Sequence, residues 1–159
     1  MNKKTNHIIN HEKEVNFKYP KIVSVFFLFN NKNQVLMQLR DNKKNIACPN
    51  IWGPVGGQCN QNESPKDCLI REVFEETGYK INNNLYWFGN YTLPYNNQNN
   101  EDHVVCVFWS IYDNQQKISC YEGQKIKFLD LNKIFCYEML NINLDWIKSI
   151  NKIYKNELK

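Results

Sequence analysis

The sequence predicts an α/β sandwich, and three observations carry that expectation. Short apolar runs rich in Val, Ile and aromatic residues recur along the chain as strands. Two longer segments, 65–77 and 144–156, carry helical spacing. The chain of 159 residues is long enough for one domain with a real core. Strands interspersed with two main helices pack as layers. Residues 1–18 are polar and charged and read as a loosely attached arm. Residues 19–159 form the single domain, and no internal repeat is visible.

Ile22 to Phe29 is apolar, β-branched and aromatic, the composition of a buried strand. Asn30 to Asn33 supplies a turn, and Gln34 to Arg40 a second strand. Asp41 to Asn50 is a polar loop with Pro49 near its end. Leu85 to Thr92 and the strongly apolar His103 to Tyr112 are further strands, separated by an Asn-rich loop from Pro94 to Asp102. That loop is long enough to serve a function. Gln124 to Leu129 alternates as a strand, and Asn132 to Phe135 makes a short helical turn. The closing helix, 144–156, places Trp146, Ile147, Ile150 and Ile153 at core spacing.

The first helix carries the chemistry. Ser64 is an N-cap, Pro65 suits the first helical position, Asp67 stands at the capping-box position and Gly78 supplies the stop. At roughly 100° per residue, Glu72, Glu75 and Glu76 fall within an arc of about 100°. Leu69, Ile70, Val73 and Phe74 occupy an adjacent arc of about 140° expected to face the core. Clustered carboxylates repel one another unless a cation neutralises them. An all-oxygen set suits Mg²⁺, with Mn²⁺ as the alternative. Arg71 lies between the two arcs and can pair with Glu63 or Glu75. Cys68 falls inside the carboxylate arc, but a hard metal disfavours sulfur, so it reads as a small residue filling space beneath the site. A plain solvated acidic face is the alternative; three acids without i,i+4 lysine partners, directly after Gly56-Gly57, weigh against it.

This segment resembles the Nudix box, Gly-x5-Glu-x7-Arg-Glu-U-x-Glu-Glu-x-Gly-U, where U is a bulky aliphatic or aromatic residue. Gly57, Glu63, Arg71, Glu72, Glu75, Glu76 and Gly78 occupy the fixed positions, with Val73 and Tyr79 at U. The resemblance extends over about residues 20–155, through 35–40, through Trp52-Gly53-Pro54-Val55-Gly56-Gly57 and through 121–129. One departure is the proline that usually precedes the glycine pair: here Val55 stands there and Pro54 is one place early.

The resemblance implies an α/β/α sandwich around a mixed sheet and a metal-dependent hydrolase of nucleoside diphosphates linked to another group. It implies that Glu72, Glu75 and Glu76 bind Mg²⁺, that the Gly57 carbonyl adds a ligand, and that Glu63 and Arg71 orient the loop and helix. Glu122 matches an acid that some members use as a further ligand or as general base. Bridging metal would reverse the repulsion between a carboxylate site and an anionic diphosphate. Nucleoside triphosphates and nucleotide sugars are the competing substrate classes. A GDP-sugar glycosyl hydrolase on the same fold and a non-catalytic nucleotide sensor are the alternatives; both typically alter the box, which is intact here. The family also includes many homodimers, so self-association is a further expectation.

Outside the box, Arg40 can grip a substrate phosphate and Trp52 can stack on a base or support the turn. Glu63 also stands beside the substrate loop. Tyr95, Asp102 and His103 flank the Asn-rich loop. A net charge of +4, with scattered lysines, does not indicate nucleic acid. No stretch reaches the roughly 18 apolar residues of a membrane helix, and the first twenty residues lack an apolar signal core, so the cytoplasm is the expected location. The six cysteines form no Cys-x-x-Cys pair and read as reduced thiols; Cys59, in the loop from Gly57 to Glu63, is the one to watch.

Overall fold

The computed structural model describes residues 21–82, 84–93 and 102–157. The arm at 1–18, Tyr95 and most of the Asn-rich loop lie outside the described residues. The elements are β1 (Lys21–Asn30), β2 (Gln34–Leu39), β3 (Trp52–Gly53), β4 (Val55–Gln58), α1 (Pro65–Thr77), β5 (Tyr86–Leu93), β6 (His103–Ile111), β7 (Lys125–Asp130) and α2 (Asn141–Glu157). A 3₁₀ segment, Leu131–Cys136, links β7 to α2.

The strands make one mixed sheet in the order β3-β2-β1-β6-β5, with β4 paired to β1 and β7 to β2. β1 and β6 run parallel at its centre, Lys21 opposite His103 through Phe29 opposite Ile111. The neighbouring pairs are antiparallel. Successive side chains of a strand point to opposite faces, and both faces of β1 and β6 are apolar. Phe27, Phe29, Val105, Val107 and Trp109 join one cluster, whereas Phe26, Leu28, Val104, Cys106 and Phe108 join the other. Helix α2 covers the first face through Trp146, Ile147, Ile150 and Tyr154; α1 covers the second through Leu69 and Val73. The result is the α/β/α sandwich expected of the sequence.

Two expectations of core packing are corrected. Ile153 is exposed, and Tyr154 takes the buried place. About the axis of α2, the stripe from Trp146 through Ile150 and Tyr154 to Ile147 leaves Ile153 on its rim. On α1, Ile70 and Phe74 are exposed at 39% and 48%. The buried residues are Cys68, Leu69, Val73, Glu76 and Thr77. The core stripe is therefore rotated toward the carboxylate arc, and this rotation carries Glu76 inside.

Candidate active site

The site is built where β4 crosses β1 and hands the chain to α1. Gly56 and Gly57 pair with Val25 and Ser24 of β1. Ser64 caps the helix, its hydroxyl accepting from the Asp67 N–H at 3.1 Å and donating to the Asp67 carboxylate at 2.7 Å. Gly78, at φ 70°, closes it in the left-handed conformation, its N–H bonded to the Phe74 carbonyl. Each carboxylate is thereby fixed relative to the glycine turn.

Gly57 is required by close approach. A Cβ there would stand 2.5 Å from the carboxyl carbon of Glu72. Glu76 is only 4% exposed, and the Gly56 N–H donates to its Oε2 at 3.2 Å. Burial pushes the Glu76 carboxyl up to about 8, with the charges of Glu122 and Glu72 adding to the rise and the Gly56 N–H and Arg40 opposing it. Those charges place Glu72, Glu76, Glu122 and Arg40 in one electrostatic neighbourhood.

Arg71 is the hub of the loop-helix junction. Its Nε and Nη2 donate to the two oxygens of Glu63, both at 2.8 Å, a bidentate pair. Its Nη1 donates to Glu72 at 2.7 Å and Glu75 at 3.1 Å, and Nη2 also reaches the Gln58 carbonyl at 3.3 Å. Glu63 accepts in addition from the Asn60 N–H at 2.8 Å. The hydrogen bonds from Arg71 hold the Glu63 carboxyl down at about 2 despite some burial, and Glu63 in turn raises Arg71 above its ordinary range. Both oxygens of Glu63 are thus engaged in fastening the loop to the helix.

Trp52 lies in the short strand β3, opposite Leu39 of β2. It is 9% exposed, its ring meets Tyr137 edge-on at 5.7 Å between centroids, and Lys127 Nζ lies 5.2 Å from the ring centroid. It supports the turn and presents no open face to a base. Arg40 follows the end of β2, where its Nε donates to the Ala47 carbonyl at 2.9 Å. That bond fixes the stem of the side chain while its field reaches Glu76. Of the loop-flanking candidates, His103 is buried and Asp102 exposed.

Two residues that tie the turns around Arg40 and Glu122 to the sheet escaped the sequence reading. Gln38, 2% exposed within β2, donates to the Glu122 carbonyl at 3.0 Å. Gln124 donates from its side chain to the Arg40 carbonyl at 2.7 Å and to Asn50 Oδ1 at 3.0 Å. The available signal was a glutamine amid Val35-Leu36-Met37 and Leu39, where an apolar run has no use for an amide.

The donor set fits a hard cation. Glu72, Glu75, Glu76 and Glu122 offer carboxylate oxygen and Gly57 a carbonyl, and a cation would offset the burial and the neighbouring charges that raise Glu76. Among the described residues no three acidic, thiol or imidazole groups converge on one point. Arg71 draws Glu72 and Glu75 to itself, so a cation would compete with it for both.

A family model described as the NUDIX domain matches residues 18–150. The mRNA-decapping protein OPG121 of variola virus is 27% identical over 128 residues, covering 79% of this chain and 54% of the viral protein. The chain thus spans about half the length of the curated relatives it matches. The MutT protein of Methanosarcina mazei Go1 superposes with a TM-score of 0.65 at 22% identity, over 87% of this chain and 98% of that one. The NUDIX domain of Shewanella oneidensis NrtR, solved with ADP ribose, superposes at 0.71 and 16% identity, over 91% and 94%. The likeness in fold, the intact box and the extent of the family match have one consequence: the chain belongs to the NUDIX domain family of hydrolases.

Proposed function

We propose that the protein hydrolyses the diphosphate linkage of a nucleoside diphosphate derivative, by attack of water at phosphorus and in dependence on Mg²⁺ or Mn²⁺. The observation that carries this is the placement of Glu76. It is a buried carboxylate that accepts from the Gly56 N–H and lies within the fields of Glu122 and Glu72, beside a glycine turn that admits no side chain.

Glu72, Glu75 and Glu76 would hold the ion, with Glu122 and the Gly57 carbonyl completing the set. Bound there, a divalent cation neutralises the carboxylates and polarises a phosphoryl oxygen. The chain's own residues do the rest. Arg71 and Glu63 hold the loop against the helix. Arg40, anchored at Ala47, directs its charge toward the same neighbourhood and suits a phosphate oxygen. A carboxylate of the cluster accepts the proton of the attacking water, and its raised affinity for protons suits that role.

Nucleoside triphosphates and nucleotide sugars are the substrate classes favoured, with the decapping relative adding capped RNA as a third. The test is a hydrolysis screen with Mg²⁺ over canonical and oxidised nucleoside triphosphates, nucleotide sugars, ADP-ribose, dinucleoside polyphosphates and capped RNA. Products are resolved by chromatography, with Glu76→Gln as control. The expected result is metal-dependent release of a nucleoside monophosphate or pyrophosphate, lost by orders of magnitude in a folded Glu76→Gln. Free sugar with nucleoside diphosphate would instead support glycosyl hydrolysis. Turnover unchanged in the variant would sink the assignment.

A further inference from the structure

The sheet face covered by α1 carries a hollow that the chemistry above does not use. A cavity of about 380 Å³ opens beside the β1–β2 turn, a volume in the range of small-molecule sites. Its floor is Leu36 of β2 with Ile126 and Phe128 of β7, and its wall is Tyr112 and Ile118. All five belong to the apolar cluster on that face, yet only Leu36 is fully buried; the other four stay half-buried. Hydrogen bonds hold the wall. The Tyr112 N–H donates to the Phe29 carbonyl at 2.7 Å, and the Tyr112 hydroxyl donates to the Gln116 carbonyl. The Gln116 amide in turn grips the backbone carbonyl and N–H of Lys80, at 2.8 and 2.9 Å. The wall is therefore set in place before any ligand arrives. None of Glu72, Glu75, Glu76, Glu122 and Arg40 lines the cavity. The Ser24–Gly57 rung lies toward the opposite end of β1 from Asn30, which borders it.

The rim supplies donors and positive charge. Lys32 is exposed there and makes no ion pair among the described residues. Lys127 also borders the cavity, but its ammonium lies on the other face, 5.2 and 4.9 Å from the ring centroids of Trp52 and Tyr137. Asn30, only 5% exposed, donates from Nδ2 to the Gln34 Oε1 at 2.9 Å. Its own oxygen accepts the Lys32 and Gln34 N–H groups at 2.9 and 3.2 Å. The Gln34 oxygen is thus occupied, and its NH2 group is left to donate. Asp113 and Asp130 stand on the adjoining segments, but neither lines the cavity. Asp113 accepts from Gln115 and Gln116, and Asp130 from the Asn132 N–H. Two donors, one of them charged, at the mouth of an apolar hollow match an anion carried on an apolar body. The Tyr112 and Phe128 rings, 5.1 Å apart and tilted by 39°, suit contact with a third flat ring. We propose that this cavity binds a small aromatic carboxylate, its ring against Tyr112 and Phe128 and its carboxylate on Lys32 and Gln34. The site is separate from the carboxylate cluster and does not depend on the hydrolytic reading.

The test reads binding and needs no hydrolytic activity. The full chain is titrated with 2-naphthoate and, in parallel, with the neutral 2-naphthamide, each followed by amide-resolved NMR. The expected result is saturable 2-naphthoate shifts at the amides of Lys32, Gln34, Ile118 and Phe128, with 2-naphthamide bound about tenfold more weakly. Lys32→Ala removes an exposed side chain; it should weaken 2-naphthoate to the level of the amide and leave the amide unchanged. Ile118→Trp, which fills the hollow, should abolish both, with a native circular dichroism spectrum as its control. Absence of saturable shifts up to the solubility limit would overturn the proposal. So would shifts confined to Arg40 and the Nudix box, or equal affinity of the wild-type chain for acid and amide. These wild-type outcomes decide even where Ile118→Trp fails to fold.

Discussion

Gln38 and Glu122, far apart in sequence, are joined by a hydrogen bond from the buried amide of one to the carbonyl of the other, at 3.0 Å. Strand β2 thereby sets the position of the turn that carries Glu122. Gln124 adds a second tie, its backbone N–H to the Leu39 carbonyl at 2.9 Å and its side chain to Arg40. The acid at 122 is therefore registered to the sheet rather than left to its own exposed loop.

Gln38→Leu should consequently lower kcat by about 10–100-fold, the range for groups that orient a metal or catalytic ligand. KM should change little and the fold should persist. Steady-state kinetics with the substrate found in the screen, together with a Mn²⁺ titration followed by electron paramagnetic resonance, check this. Unaltered kcat and Mn²⁺ affinity would remove Gln38 from the positioning role.

The Arg71–Glu63 pair should dominate the stability of the loop. Arg71→Ala leaves three carboxylates without their cation and should cost less than the roughly 3–5 kcal/mol of breaking a fully buried pair, because both partners are partly exposed. Glu63 takes protons less readily in the folded protein than unfolded. Its contribution is thus fully present above about 4.5 and is lost as pH falls toward about 2. Glu63→Gln should flatten the acid limb of the stability curve. Thermal melts of both proteins across this range measure it.

Glu76 has the opposite sign. Its folded-state proton affinity is raised, from 4.5 to about 8, so the metal-free protein should lose stability as pH rises through that interval. Mg²⁺ should restore it above neutrality, and Glu76→Gln should abolish both the slope and most of the Mg²⁺ effect. Urea unfolding with chelator and with Mg²⁺ separates the outcomes. A flat profile without metal would mean that water reaches the carboxylate.

Much of this arrangement was legible in the sequence because it is local. Ser64, Pro65 and Gly78 bound α1 by their own chemistry, and the spacing of Glu72, Glu75 and Glu76 follows from the helix pitch. What the sequence hid is long-range. The rotation of α1 that buries Glu76 and exposes Phe74 depends on how β4 meets the helix. The short strands β3 and β4 exist only through their partners. The burial of Trp52 depends on Lys127 and Tyr137, which arrive on β7 and after the 3₁₀ segment. Gln38 reads as a blemish in a strand until Glu122 is brought to it.

The parallel pairing of β1 with β6 also has a kinetic consequence. Its partners are about eighty residues apart in the chain, and nine rungs join them. A nascent chain that has emerged only through Tyr79 holds the whole Nudix box yet lacks the strand β6 against which β1 lies. Loop closure over that span must precede the central ladder, which slows folding relative to proteins of local contacts. On the ribosome, β1 would wait with an unpaired edge until His103–Ile111 is made, and that waiting edge is the stage at which this chain is most exposed to misassociation.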